Sequence, residues 1–167
     1  MKIIFLDIDG VLNADEDFGG RSKPNPLVHG ICGISKTRIK RLKRIVDATN
    51  AKIVLVSSWK YDYRDYMRGN DNVWGKYLRN KLRKVGVEIF DDTYRLDNAC
   101  GQDRGYEIVT WISESKEPVE SWIVLDDEVF RDYKMQGIIP HLIKTSEKTG
   151  LTEELTNEAI KLLNKEI

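Results

Sequence analysis

The stretch MKIIFLDIDGVLN (residues 1–13) determines how the rest of the chain is interpreted. Its apolar run at 3–6 leads directly into Asp7 and Asp9, so two carboxylates follow a short strand and lie two residues apart. Runs that are apolar throughout indicate strands that are buried on both faces, as in parallel sheets. Two acids this close repel each other, so a fold tolerates them only in an exposed turn or around a cation.

Length and composition predict one soluble globular domain. The chain has 167 residues, of which 41% are hydrophobic and 32% are charged, as in ordinary globular proteins. Lys plus Arg and Asp plus Glu both total 27, so net charge gives no argument for a polyanionic partner. The sequence has no apolar run near the ~18 residues of a membrane span and no signal-peptide pattern. We therefore expect a cytoplasmic monomer that does not bind membranes, with reduced cysteines.

Apolar runs and helical patterns alternate along the remainder of the chain. Four further strands are predicted, at 52–57, 87–90, 122–127 and 137–144. Helices are predicted at 36–49, about 75–85, 104–116 and 152–165, with Ser35 and Thr152 as N-caps. Such alternation implies right-handed crossovers. We therefore expect a three-layer, Rossmann-like α/β fold: a mostly parallel five-stranded sheet with helices on both faces.

Two segments interrupt this alternation within the single domain expected for residues 1–167. Residues 13–34 are rich in Gly, Pro, Asn and Asp, and we expect a short irregular flap there. Residues 59–74 combine aromatic and charged side chains, and we expect a small irregular insert. Its aromatic residues would form a satellite core or, with neighbouring Arg side chains, stack on nucleobases. Asp91 and Asp92 are expected in a turn after the third strand, at the edge of the sheet.

Polar side chains are placed at the predicted strand ends, which is where parallel sheets bind their ligands. The residues with this placement, together with the basic residue that opens the helix before the fourth strand, are Asp7, Asp9, Ser57, Ser58, Arg104, Asp126 and Asp127. If the strands are neighbours, four acids converge, and they cannot all stay ionised without compensation. A set of oxygen ligands suits Mg²⁺, which shares its ligands with phosphate oxygens.

This combination of groups predicts phosphoryl-transfer chemistry. Hydroxyl and guanidinium donors beside a metal site fit the oxygens of a transferring phosphoryl group. One Asp can attack phosphorus and form an aspartyl phosphate. The second, two residues on, can protonate the leaving oxygen and later activate a water molecule.

The order of these motifs resembles that of the haloacid dehalogenase-like (HAD) phosphohydrolases. DIDGV ends the first strand, Ser ends the second, a basic residue precedes the fourth and an acidic pair ends it, so the resemblance covers residues 2–144. The longer stretches DIDGVLN, IVLVSSWK, RGYEIVTWI and VLDDE further resemble small phosphatase domains attached to RNA-repair enzymes. The phosphatase domain of polynucleotide kinase-phosphatases is similar more distantly.

The resemblance implies a role for each of these residues. Asp7 would be the nucleophile and Asp9 the general acid and base. The implied phosphate-binding side chains are Ser57 or Ser58, Lys60, and Arg104, which stands where the family usually has Lys. The implied metal ligands for Mg²⁺ are Asp7, Asp126, Asp127 and the backbone carbonyl of Asp9.

In this family the cap domains often set the size of the substrate. Neither 13–34 nor 59–103 can hold a full cap, since the second also supplies a helix and a strand of the core. The resemblance therefore implies an open, capless phosphomonoester hydrolase that acts on a nucleic-acid end or a nucleotide phosphate. The alternatives are a phosphatase of phosphoproteins or small metabolites, and a non-catalytic accessory protein that binds nucleic acid through its basic stretches at 36–44 and 79–84.

Overall fold

The computed structural model describes residues 1–18, 24–25, 28–93 and 103–165, and the statements below concern those residues. Its main sheet contains five strands, all parallel: β1 (Lys2–Leu6), β4 (Lys52–Leu55), β5 (Ile89–Asp92), β6 (Ser121–Asp126) and β7 (Leu142–Lys144). A separate antiparallel pair consists of β2 (Pro24–Asn25) and β3 (Val28–Cys32). The main sheet has the spatial order β5–β4–β1–β6–β7, so the predicted five-stranded parallel sheet is confirmed.

Helices cover both faces of this sheet. They are α1 (Lys36–Thr49), α2 (Trp59–Met67), α3 (Val73–Arg83), α4 (Arg104–Glu114) and α5 (Glu153–Leu163). The predicted N-caps are confirmed, because Ser35 and Thr152 each accept a hydrogen bond from a backbone N–H in the first turn of their helix. In the described part of the chain, no helix is long and apolar enough to cross a membrane.

The side chains of β1 alternate between two hydrophobic cores, one on each side of the sheet. Ile4 and Leu6 lie in the core formed with α1, α3 and α5. Ile3 and Phe5 lie in the core formed with α4. All four side chains are fully buried, so the three-layer arrangement predicted from the apolar run is confirmed.

The prediction of an irregular insert at 59–74 is wrong, because this stretch forms α2 and the start of α3. Trp59 is buried on α2, and Trp74 of α3 packs edge-on against it with ring centroids 5.4 Å apart. The two helices come close enough that a Cβ atom on Gly75 would lie 2.2 Å from the carbonyl oxygen of Asp62. Trp59 belongs to the main core that contains Ile4 and Leu6, and Trp74 packs against that core, so the two indoles are neither a separate satellite core nor a surface for stacking bases.

The third strand lies at the edge of the sheet, as predicted, but its boundaries differ from the prediction. Strand β5 begins at Ile89 and includes Asp91 and Asp92, which we expected in a turn. Asp91 accepts a hydrogen bond from the indole of Trp111, and Asp92 pairs with Arg64. An edge strand pairs on one side only and is less buried than a central strand, so it can carry acidic side chains. Here these acids reach partners on nearby helices.

Two other segments also differ from their predictions. The fifth strand is shorter than 137–144, because Ile139–His141 forms a 3₁₀ turn that contains a proline. The flap at 13–34 is not wholly irregular, since it contains a 3₁₀ turn at Asp15–Phe18 and the antiparallel pair β2–β3. Parts of this flap lie outside the described residues, namely 19–23 and 26–27.

Candidate active site

Parallel pairing brings the carboxyl ends of the central strands to one edge of the sheet. The backbone N–H of Asp7 donates to the carbonyl of Leu125 at 2.9 Å, so the residue after β1 lies level with the end of β6. Asp7, Asp126 and Asp127 each offer a carboxylate oxygen, and these three oxygens lie within 4.8 Å of one another. The predicted convergence of acids at this edge is therefore present for these three residues.

Two of these carboxyl groups resist ionisation in the absence of a cation. Burial raises the pKa of Asp7 to about 7; the Arg104 guanidinium opposes the rise and the Asp126 carboxylate adds to it. Burial also raises the pKa of Asp127 to about 6, again with a contribution from the Asp126 carboxylate. Such shifts express mainly the cost of burying a charge, with repulsion from Asp126 added, and a bound divalent cation would offset both.

Arg104 lies beside the acids on the first turn of α4. Its Nη1 atom is 3.4 Å from Asp7 Oδ1 and 2.7 Å from Asp126 Oδ2. Its guanidinium also lies over the ring of Phe130, 4.1 Å from the ring centroid. Although burial works against the charge, Asp7 and Asp126 hold the pKa of Arg104 above its ordinary value. Arg104, the basic residue predicted at the start of this helix, is thus charged and is oriented by the carboxylates of Asp7 and Asp126.

Asp126 is the most constrained of the three acids. Its Oδ2 atom accepts hydrogen bonds from Arg104 and, at 2.7 Å, from the hydroxyl of Tyr133. Its Oδ1 atom accepts from the backbone N–H of Glu128 at 2.9 Å. These donors fill most of the roughly four acceptor sites of a carboxylate. Asp126 therefore orients Arg104, while Asp7 and Asp127 keep more of their oxygens for a cation.

Asp9 is the one exposed residue of the turn after β1, and its two oxygens have different donors. The side-chain amide of Asn13 donates to Oδ1 at 2.7 Å, and the indole N–H of Trp59 donates to Oδ2 at 2.9 Å. The residue after Asp9 is Gly10, with φ +64°, where a Cβ atom would lie 2.3 Å from Cγ of Asp127. The glycine of DIDG therefore permits both the turn and the close approach of the Asp127 carboxylate.

Replacing Gly10 by Ala is expected to cost about 1–3 kcal/mol and to weaken Mg²⁺ binding. The new methyl group would displace the Asp127 carboxylate, as well as straining the backbone. Gly137→Ala is the matched control, because Gly137 has φ +72° but nothing within 4 Å of its Cβ position. Thermal unfolding and calorimetric Mg²⁺ titration measure both effects. Equal Mg²⁺ affinity in the two variants would contradict the role given to the close contact.

Ser57 and Ser58 differ in their surroundings. Ser57 is buried two residues after β4, and a side-chain hydrogen bond from Ser57 opposes the rise in the pKa of Asp7. Ser58 is exposed and is the residue directly before α2. Of the two serines, the structure brings Ser57 together with the acidic cluster.

Lys60 has partners on the side of α2 that faces β5 and α4. Its ammonium group donates to the hydroxyl of Thr93 at 3.0 Å and forms an ion pair with Glu107, and its side chain is 3% exposed. Burial lowers the pKa of Lys60, and the bond and charge of Glu107 oppose that effect. In the described structure the Lys60 ammonium is held by Glu107 and Thr93, and its predicted contact with phosphate stays a prediction.

Sequence reasoning missed several residues that support the site. Tyr133 is fully buried and fixes Asp126, and Asp132 accepts the backbone N–H of Tyr106 at 2.8 Å at the start of α4. Asn13 and Trp59 stand within the quoted stretches DIDGVLN and IVLVSSWK, but without a structure neither spacing indicates a contact with Asp9. The only available signal was their nearness in sequence to motif residues.

Comparison with known proteins gives one match. A family model described as the HAD domain in Swiss Army Knife RNA repair proteins matches residues 3–156. Neither the curated proteins nor the solved structures gave a match. The matched range contains every residue of the acidic cluster and the helix that carries Arg104.

Proposed function

Because the chain belongs to the family of HAD domains found in Swiss Army Knife RNA repair proteins, we propose that it is a Mg²⁺-dependent phosphomonoester hydrolase. The observation that carries this proposal is the cluster of Asp7, Asp126 and Asp127, with the Arg104 guanidinium beside it. The family implies a phosphohydrolase, and these four side chains are what such chemistry requires: a nucleophile, metal ligands and a fixed cation.

The residues at the sheet edge fit Mg²⁺. All three side chains of the cluster offer oxygen, the ligand type that Mg²⁺ prefers. Asp7 and Asp127 would hold the ion, since Asp126 already accepts from several donors. The raised pKa values of Asp7 and Asp127 support this assignment, because a cation would offset both the burial that mainly causes them and the repulsion from Asp126. When bound, Mg²⁺ neutralises these acids and polarises the phosphoryl group.

The proposed reaction has two steps, both at phosphorus. In the first, a carboxylate oxygen of Asp7 attacks phosphorus and the bond to the leaving oxygen breaks, while Asp9 gives that oxygen a proton. In the second, Asp9 takes a proton from water as the water attacks phosphorus, which releases inorganic phosphate and regenerates Asp7. Ser57 and Arg104 donate to the phosphoryl oxygens in both steps, and their donors are fixed in advance by their contacts with Asp7.

The proposed substrate is a phosphate at a nucleic-acid end or on a nucleotide. Two observations support it: the printed description of the family concerns RNA repair, and the described residues include no separate cap domain beside the site. The basic residues of α1 give the accessory-protein alternative less support than the sequence suggested. Arg41 and Arg44 pair with Glu153 of α5, so part of that positive charge is neutralised within the fold.

A substrate screen tests the proposal. With Mg²⁺, we expect the protein to release phosphate from p-nitrophenyl phosphate and, more efficiently, from oligonucleotides that end in a 3′- or 5′-phosphate. EDTA should stop both reactions, and mononucleotides and phosphopeptides complete the comparison. A preference for phosphopeptides would replace the proposed substrate class. No turnover of any of these substrates would overturn the proposed function.

A further inference from the structure

The indole N–H of Trp59 donates to Oδ2 of Asp9 at 2.9 Å, across 50 positions of sequence. We propose that Trp59 is a positioning residue that holds the Asp9 carboxylate in the orientation needed for proton transfer to the leaving oxygen. This inference rests on the proposed hydrolase function and names a residue that acts through Asp9. In this proposal, Trp59 itself does not contact the substrate.

The indole is fixed by the main hydrophobic core, where it packs between α2 and α3. Trp59 is 5% exposed and is the first residue of α2, directly after the serines that follow β4. Trp74 packs edge-on against it, with an angle of 87° between the ring planes. The ring centroid of Tyr77 lies 6.5 Å from that of Trp59. A buried indole N–H needs an acceptor, and here the acceptor is the carboxylate of the exposed residue Asp9. A rigid donor from the core therefore determines where a surface carboxylate points.

The other carboxylate oxygen of Asp9, Oδ1, is held by Asn13, which lies four residues further along the chain. The side-chain amide of Asn13 donates to Oδ1 at 2.7 Å, and the Oδ1 atom of Asn13 accepts the backbone N–H of Gly10 at 2.8 Å. Two donors on different oxygens fix both the rotamer of Asp9 and the plane of its carboxylate. An exposed aspartate would otherwise sample several rotamers, and ordering it at the moment of reaction would cost entropy.

Orientation matters most for leaving groups that cannot depart without a proton. General acid catalysis requires the acid within hydrogen-bond reach of the leaving oxygen, and a displacement of ~1 Å can cost about 10²-fold in rate. An alkoxide is a poor leaving group and depends on this proton, whereas p-nitrophenolate departs without it. Loss of the Trp59 contact should therefore affect alkyl phosphates more than aryl phosphates.

The kinetic test compares two Phe variants on two substrates. For Trp59→Phe we expect kcat/KM to fall about 10–100-fold with an alkyl phosphate but by only a few-fold with p-nitrophenyl phosphate. Trp74→Phe is the matched control: it alters the same aromatic cluster, and Trp74 has no contact with Asp9 in the described structure. That variant should leave the ratio between the two substrates unchanged. Equal falls for both substrates in Trp59→Phe would show a structural role only and would overturn the proposal.

A spectroscopic test observes the contact without turnover. The chain has four Trp residues, and the indole N–H signal that disappears in Trp59→Phe is that of Trp59. In Asp9→Asn this signal should move upfield, because an amide oxygen is a weaker acceptor than a carboxylate, while the other indole signals stay in place. If the indole signal of Trp59 does not move in Asp9→Asn, the hydrogen bond between Trp59 and Asp9 is not formed and the proposal is overturned.

The kinetic outcomes separate this proposal from the proposed function. A wild-type protein that turns over neither phosphate would count against the proposed function, whereas turnover with an unchanged substrate ratio in Trp59→Phe would remove only the role of Trp59.

Discussion

Asp7→Asn is expected to lower the rate of hydrolysis by at least roughly 10⁴-fold, with either p-nitrophenyl phosphate or a phosphorylated oligonucleotide. An amide cannot form the acyl phosphate, and it also removes a charged ligand from the proposed Mg²⁺ site. The variant should still fold, because Asn has nearly the same shape as Asp. The residues that surround the buried side chain at position 7 are unchanged. Steady-state release of phosphate measures the effect.

The matched control for this variant is Asp47→Asn. Asp47 lies on α1, has an exposed side chain and pairs with Lys43 one turn away, so it carries the same chemical change far from the site. Its turnover should equal that of the wild-type protein. A residual rate in Asp7→Asn within about tenfold of wild type would rule out Asp7 as the nucleophile, since losing a covalent step costs far more.

The metal-free protein is expected to lose stability between about pH 4 and pH 7, and Asp7→Asn should remove much of that loss. Burial and neighbouring charge raise the pKa of Asp7 from 3.8 to about 7. A group whose pKa is higher in the folded than in the unfolded chain binds its proton more tightly when folded, so it stabilises the fold below the unfolded pKa. That contribution is lost as the pH rises through the folded pKa. For Asp7 a pKa shift from 3.8 to about 7 amounts to on the order of 4 kcal/mol.

Thermal unfolding at pH 5 and pH 8, in EDTA and in Mg²⁺, measures this effect. At pH 8 in EDTA, the Tm of Asp7→Asn should exceed that of the wild-type protein by several degrees, and the gap should be smaller at pH 5. Mg²⁺ should raise the wild-type Tm at pH 8 and narrow the gap, because it relieves the buried charge. If the two proteins show the same pH dependence in EDTA, the ionised Asp7 is not the source of the instability.

The convergence of the acidic residues could be predicted from the sequence, because it follows from topology. An apolar run such as 3–6 is compatible with a buried parallel strand, and parallel strands that are neighbours end at the same edge. The position of Asp7 next to Asp126 and Asp127 needs only that β1 and β6 pair. Glycine after Asp9 likewise indicates a turn, which the structure has at φ +64°.

The partners of single side chains could not be predicted in this way. Lys60 follows the serine motif closely enough to suggest a phosphate contact, yet its partner Glu107 is 47 residues away. Tyr133 reaches Asp126 only because the loop after β6 folds back. Residues 59–74 mix charged and aromatic side chains without a clean apolar stripe, so tertiary packing rather than periodicity makes them helical. Such contacts depend on distances between elements, which local patterns do not contain.

Strand β1 contributes side chains to both hydrophobic cores. Ile4 and Leu6 pack in one core, and Ile3 and Phe5 pack in the other. A fluctuation that displaces Asp7 must therefore open both halves of the protein, at a cost close to that of unfolding the whole domain. The Asp9 side chain, two residues further on, is exposed and is held by side-chain hydrogen bonds, so it can change its rotamer without opening the cores. The position of the proposed nucleophile is thus as stable as the fold itself, whereas the orientation of the proposed acid depends on two local hydrogen bonds.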